Sequence, residues 1–171
     1  IQPRPTSVMD FEMGLKEIER QLINQGITTI YHSISLYQDD YFGASDLRYK
    51  KNVLKLAELI NNIHERHHLI HHRLHLRIEI DNLEAFDIVS KLLREKTVHE
   101  ISFMDHTPGQ GQYRNIETYR KTITAYHGET VTTLGFEGVL EHHKNKRTLS
   151  FEQLHELAEL ARANGIPAAS H

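Results

Sequence analysis

Between positions 9 and 25 the apolar residues Phe11, Leu15, Ile18 and Leu22 recur at spacings of four, three and four, one stripe of an α-helix. Gly26 follows, a residue that tolerates the left-handed turn of a helix C-terminus. The segment 27–37 is dense in β-branched and aromatic residues and predicts a strand. A turn-rich stretch from Gln38 leads into a second helix from Ser45, with Val53, Leu56, Ile60 and Ile63 as its buried stripe. The clearest alternation comes next. Leu74, Leu76, Ile78 and Ile80 fall on one face of a strand, and Arg73, His75, Arg77 and Glu79 on the other. Asp81 and Glu84 read as a capping box for a helix ending near Lys96. Residues 98–105 predict a third strand, and 106–112 the loop after it. The polar region 113–147 reads as helical with a break near Gly135 and Gly138. A capping box of Ser150 and Gln153 opens a helix lined by Leu154, Leu157 and Ala161, Gly165 ends it, and a last strand begins at Ile166.

Strands alternating with helices predict parallel β/α units in a single domain spanning 1–171. Right-handed crossovers narrow the choice to a doubly wound sheet or a barrel. Central strands of a doubly wound sheet are covered on both faces and should be apolar on both. The charged face of 73–79 fits instead a strand whose second face lines a working interior. The expected architecture is therefore α/β: a partial TIM barrel, (β/α)8, represented by about four strands with their helices, since four strands cannot close one.

Composition changes this picture in two places. The chain has 171 residues, no cysteine and a net charge of −3, which removes disulfides and thiolate metal sites and suits a reducing cytoplasm. No basic stripe and no membrane-length apolar run occur, so neither nucleic acid nor membrane is an expected partner. Fourteen histidines, by contrast, make metal chemistry worth following. Active centres of β/α barrels sit at the C-terminal ends of the strands, where Glu79, His106 and His171 fall. A carboxylate and two imidazoles suit zinc, manganese or iron. The residues alone leave alternatives open. Glu79 could instead pair with Arg73 or Arg77, and a strand-end histidine could be a hydrogen-bonded structural residue. His64, His67, His68, His71 and His72 contain i, i+4 pairs that could chelate a metal from one helical face, or simply form a solvated helix end. Gly109 and Gly111 could bring backbone N–H groups to a phosphate, although that pattern is weak alone. Tyr37, Tyr41 and Phe42 beside Asp39 and Asp40 could line a substrate or interface loop.

The run Ser102-Phe-Met-Asp-His-Thr-Pro-Gly-Gln-Gly-Gln-Tyr113, with Tyr119-Arg120, resembles the signature loop of the α-D-ribose 1-methylphosphonate 5-triphosphate diphosphatase family of the amidohydrolase superfamily. Arg73-Leu-His-Leu-Arg-Ile-Glu79 resembles its strand ending in a metal-ligand glutamate, and Ile166-Pro-Ala-Ala-Ser-His171 its ligand-bearing strand, which normally continues into two aspartates. The resemblance covers essentially the whole chain. It implies an amidohydrolase-type barrel and a hydrolase of the carbon–phosphorus lyase pathway, in which water attacks a ribose 5-triphosphate and pyrophosphate leaves. It also implies a divalent metal, two ions in the full enzyme, with Glu79 and His171 as ligands and His106 as a ligand or a phosphate contact. His75, Arg77, Asp105, Gln110 and Gln112 become the expected contacts to a small phosphorylated substrate. The superfamily's first-strand histidine-x-histidine or histidine-x-aspartate pair is expected before Ile1 and its water-activating aspartate after His171. The chain is thus expected to be the central part of a barrel, inactive alone and prone to form a homo-oligomer through its open edges. Another amidohydrolase activity, such as deacetylation or deamination, or a non-catalytic half barrel would leave a similar pattern.

Overall fold

A computed structural model describes residues 10–38, 48–63, 68–109, 113–126 and 128–170. Along these the elements are α1 (Phe11–Ile23), β1 (Thr29–Leu36), α2 (Lys50–Asn62), β2 (His71–Glu79), α3 (Ala85–Arg94), β3 (Glu100–Met104), α4 (Ile116–Tyr126), α5 (Gly128–Lys144), α6 (Phe151–Ala163) and β4 (Ala168–Ser170). The predicted order of strands, helices and helical insertion is the observed one.

All three strand pairings are parallel, and the sheet runs β1-β2-β3-β4 in chain order. A doubly wound sheet reverses its order at a switch point. A sequential order with right-handed crossovers instead puts every connecting helix on one face. The architecture is therefore α/β with a four-stranded parallel sheet, consistent with part of a barrel. Register shows the two faces directly. Ile34, Leu76 and Ile101 share one row and Leu36, Ile78 and Phe103 another, beneath the helices. Ser33, His75 and Glu100 align on the opposite face, as do Ser35, Arg77 and Ser102.

The core lies between the sheet and its helices. Val53, Leu56, Ile60 and Ile63 of the second helical stripe are all buried, as are Leu157 and Ala161 on α6. Ser150 accepts the Gln153 N–H while Gln153 accepts the Ser150 N–H, so that capping box is as the sequence predicts. Gly135 breaks α5 with φ 71° and ψ 159°, a conformation essentially restricted to glycine. Gly138 leaves the helix intact. Around the insertion, Tyr119, Ile123 and Val139 make a separate small core with Tyr113, Phe136 and Leu140 packed against it.

Two local expectations fail. Asp81 and Glu84 do not form a capping box: Glu84 itself is the N-cap of α3, in an αR conformation with no side-chain cap bond. Asp81 is drawn away by Lys146, whose Nζ lies 2.9 Å from its carboxylate. The histidine run is not one helical face either, because His71 and His72 already belong to β2 and His68 lies in the turn before it. His64 and His67 lie outside the described residues, as do positions 39–47 with Tyr41 and Phe42.

Candidate active site at the C-terminal strand ends

β2 ends at Glu79, and the loop leaving β3 carries Asp105 and His106. Parity sends Glu79 to the polar face, yet its side chain is only 3% exposed. His106 Nδ1 lies 2.7 Å from Glu79 Oε2. Among the described residues the carboxylate is paired with this imidazole and not with Arg73 or Arg77. Glu79 Oε1 is buried with no hydrogen-bond partner among the described residues. A buried carboxylate oxygen without a donor is costly, and a cation placed beside it removes the cost.

Arg77 sits one pleat back, its guanidinium 3.8 Å from the Met104 sulfur. Behind it a polar chain crosses the three strands. Ser33 Oγ meets His75 Nδ1 at 2.8 Å, and His75 Nε2 meets Ser102 Oγ at 2.9 Å. Burial holds His75 below its ordinary pKa; Glu100 opposes that shift and Arg77 adds to it. The ring is thus oriented at both nitrogens. Asp105 accepts the Thr107 N–H at 2.9 Å, which shapes the loop that presents His106.

Tyr37 follows β1 at the same end. Burial and the neighbouring Glu79 carboxylate push its hydroxyl pKa up, against Arg48 and Arg77. Arg48 donates to the Tyr37 hydroxyl at 2.7 Å and its guanidinium lies over the ring. On the other side, the Tyr113 ring is 5.7 Å from His106 and packs edge-on against buried Tyr119. His143 from α5 lines a recess of about 10 Å³ with Asp81, Met104, Asp105 and His106, room for about one water. A larger recess of about 260 Å³ between α1 and α2, lined by Phe11, Lys55 and Leu59, is far from these groups. It is a groove between helices and holds none of the strand-end donors.

The structure therefore brings together Glu79 and His106, with Asp105 beside them and Arg77 and His75 on the same sheet face. His171, Gln110 and Gln112 lie outside the described residues. Sequence reasoning missed Arg48, reached only through the fold, and His143, for which the chain carries no local signal. Two donors suit a metal by type, and the orphaned Glu79 oxygen fits one, but two do not complete a centre.

A second group of metal-capable donors lies elsewhere. Glu19 of α1, His68 and His72 place one ligand atom each within 4.8 Å of one another. This buried Glu/His/His group could bind a metal ion. His32 backs it from the neighbouring strand, with Nε2 2.8 Å from His72 Nδ1. Burial first, and His72 second, push the pKa of His32 down to about 3, so its ring is neutral. A signal did exist: Glu19 falls four residues after Leu15, on the buried stripe of an otherwise apolar helix face.

Sheet order, a polar row on one sheet face and the strand-end carboxylate–imidazole pair define a parallel α/β protein with a polar candidate site at its strand ends. The chain is 28% identical over 99% of its length to the alpha-D-ribose 1-methylphosphonate 5-triphosphate diphosphatase of Escherichia coli (strain K12), and spans 44% of that relative's length. No family model matches the chain, and no solved structure matches it significantly. Among the described residues no helix is long and apolar enough to cross a membrane.

Proposed function

We propose that the strand ends around Glu79 and His106 belong to the active centre of a metal-dependent hydrolase with an amidohydrolase-type barrel, of which residues 1–171 form one central domain. Its intact form releases pyrophosphate from a ribose 5-triphosphate bearing a 1-phosphonate. The observation that carries this reading is the buried Glu79 oxygen left without a donor beside His106, at the catalytic end of a sequentially ordered parallel sheet. The similarity to a diphosphatase along nearly the whole chain supports the substrate.

Glu79 and His106, with His171, would hold the divalent ion. Such an ion, when bound, supplies a hydroxide near neutral pH and steadies phosphate oxygens. Arg77 faces the interior, where its fixed positive charge offsets the charge gathering on the phosphoryl oxygens. His75, locked between Ser33 and Ser102, would hydrogen-bond the substrate's polar groups, and Asp105, Gln110 and Gln112 would border it from the loop. Water adds to the phosphorus nearest the ribose, the bridging P–O bond breaks, and pyrophosphate carries away the electron pair.

The partners on this reading are a small phosphorylated substrate and further copies of the same chain in the cytoplasm, with neither nucleic acid nor membrane involved. β4 is exposed along its whole length and has β3 as its one strand neighbour among the described residues, which supports self-association. A dilute monomer on sizing would contradict that part.

The test is pyrophosphate release by the intact protein, with its metal content measured in parallel. Glu79→Gln and His106→Ala should each lower turnover at least about 100-fold and deplete the metal. Retention of both metal and turnover by either variant would refute the assignment. Turnover of an N-acyl sugar or a purine without pyrophosphate release would move the reading to another amidohydrolase activity.

A further inference from the structure

The Glu19 group sits at the opposite end of β2 and on the opposite face of the sheet from Glu79. Its carboxylate occupies the sheet-facing stripe of α1 between Ile18 and Leu22, and the residue is only 4% exposed. Ile18, Leu22, Ile30 and Ile70 form an apolar cluster there, so the local dielectric is low and an uncompensated charge is costly. Glu19 Oε1 accepts the N–H groups of Leu69 and of Ile70, the latter at 3.0 Å. Those donors and the two imidazoles outweigh burial and hold its pKa below the usual carboxylate range.

The imidazoles stand at a telling distance. His68 Nδ1 is 3.4 Å and His72 Nε2 3.6 Å from the same Glu19 oxygen. Both exceed the roughly 3.2 Å upper end of an N–H···O bond. They agree with the edge of a coordination tetrahedron, about 3.4 Å for metal–ligand bonds near 2.1 Å. His68 gives an independent sign. Its side chain is 4% exposed, and neither ring nitrogen has a hydrogen-bond partner among the described residues. His72 is held from behind by His32, the two ring planes lying 4° apart. If His72 donates from Nδ1 to the neutral His32, its Nε2 lone pair faces the Glu19 carboxylate. Two electron-rich atoms so placed repel unless a cation lies between them. Metal-ligating histidines are ordinarily held in this way through the second nitrogen.

We propose that Glu19, His68 and His72 bind a divalent cation of the zinc class, with His32 as the positioning residue for His72. Two imidazoles and one carboxylate select zinc, cobalt or nickel over magnesium or calcium. Its role is structural: it ties α1 to the turn that launches β2. The apolar cluster covers the group, and seven residues of strand, about 23 Å, separate His72 from Glu79. The inference stands independently of the hydrolase reading.

The experiment is a zinc titration of the chelator-stripped chain by competition with a chromophoric chelator, in a Glu79→Gln background that excludes metal at the strand ends. One equivalent should bind tightly. Glu19→Gln and His68→Ala should each weaken it at least about 100-fold, and His32→Gln by about 10- to 100-fold. Zinc should raise the thermal midpoint of the Glu79→Gln background and leave that of the same background carrying His68→Asn unchanged. Cobalt in place of zinc should give the intense visible absorption of a tetrahedral site. Absence of a tight equivalent in the parent would overturn the proposal, leaving an imidazolium–carboxylate cluster. So would binding undiminished by Glu19→Gln and His68→Ala, which would assign the metal to other histidines.

Discussion

Removing His106 should destabilise the fold because of the charge it leaves behind, and the size of that effect follows from the site. Glu79 is 3% exposed at its side chain and His106 17%, with 2.7 Å between Oε2 and Nδ1. Breaking such a pair from one side strands a buried carboxylate, at about 3–5 kcal/mol for a fully enclosed pair. The partial exposure of His106 admits some water, so His106→Ala should cost about 3 kcal/mol. Glu79→Gln keeps the shape and an amide that can bond the neutral imidazole, and should cost about 1 kcal/mol. Once Glu79→Gln is present, His106→Ala strands only an uncharged amide, again about 1 kcal/mol. The two changes are therefore non-additive by about 2 kcal/mol. Urea denaturation followed by circular dichroism, with chelator at neutral pH, reads this directly. With a slope near 2 kcal/mol per molar, His106→Ala should move the midpoint by about 1.5 M alone and by about 0.5 M beside Glu79→Gln. Equal shifts in the two backgrounds, within about 0.5 kcal/mol, would show that no buried charge pair exists there.

His75 should contribute a pH dependence of known sign. Its pKa is depressed in the folded protein, so the unfolded chain takes up the proton first as pH falls through the ordinary histidine range near 6.5; stability is present above that range and declines below it. His75→Gln should make the fall in thermal midpoint between about pH 7 and 5 shallower, and an unchanged slope would count against the buried ring. Ser150→Ala removes one half of a formed capping box and should cost about 1 kcal/mol in urea denaturation, with Ser150→Asp largely restoring it. Gly135→Ala should loosen the α4–α5 insertion by about 1–3 kcal/mol through conformation alone, since an added Cβ would meet nothing within 4 Å. Faster limited proteolysis between 126 and 144 is the expected sign, and unchanged cleavage would show that the kink tolerates a side chain.

Much of the fold was legible because burial repeats with the period of the element. Leu74, Leu76 and Ile78 are fully buried beneath the helices while Arg73, His75 and Arg77 are half-buried on the other face, as the alternation implies. What was not legible depends on partners distant in the chain. Asp81 and Glu84 carry the letters of a capping box, but Lys146 and Lys50 draw their carboxylates to ion pairs. The i, i+4 spacing of His68 and His72 suggested a helix that ends before them. They meet nevertheless, 5.4 Å between ring centroids, across the bend at 69–70 that leads into β2. Their partner His32 is 40 residues away from His72 on the neighbouring strand, and no spacing rule reaches across a crossover. Glu79 and His106 were legible as strand-end residues; that they bond each other was not, because β2 and β3 are joined in space only by their register.

The parity of β2 separates the two polar centres more thoroughly than distance alone. His72 and Glu79 are an odd number of residues apart, so they project to opposite faces, one beneath α1 and one onto the polar face. At about 23 Å and with no shared partner, perturbations at the two ends should add. A cation under α1 would then raise the stability of the whole sheet without altering the Glu79–His106 coupling. Losing it would lower stability while leaving that coupling near 2 kcal/mol. Such an arrangement would let the N-terminal ends of the strands carry stability while a costly, under-satisfied carboxylate stands at the C-terminal ends.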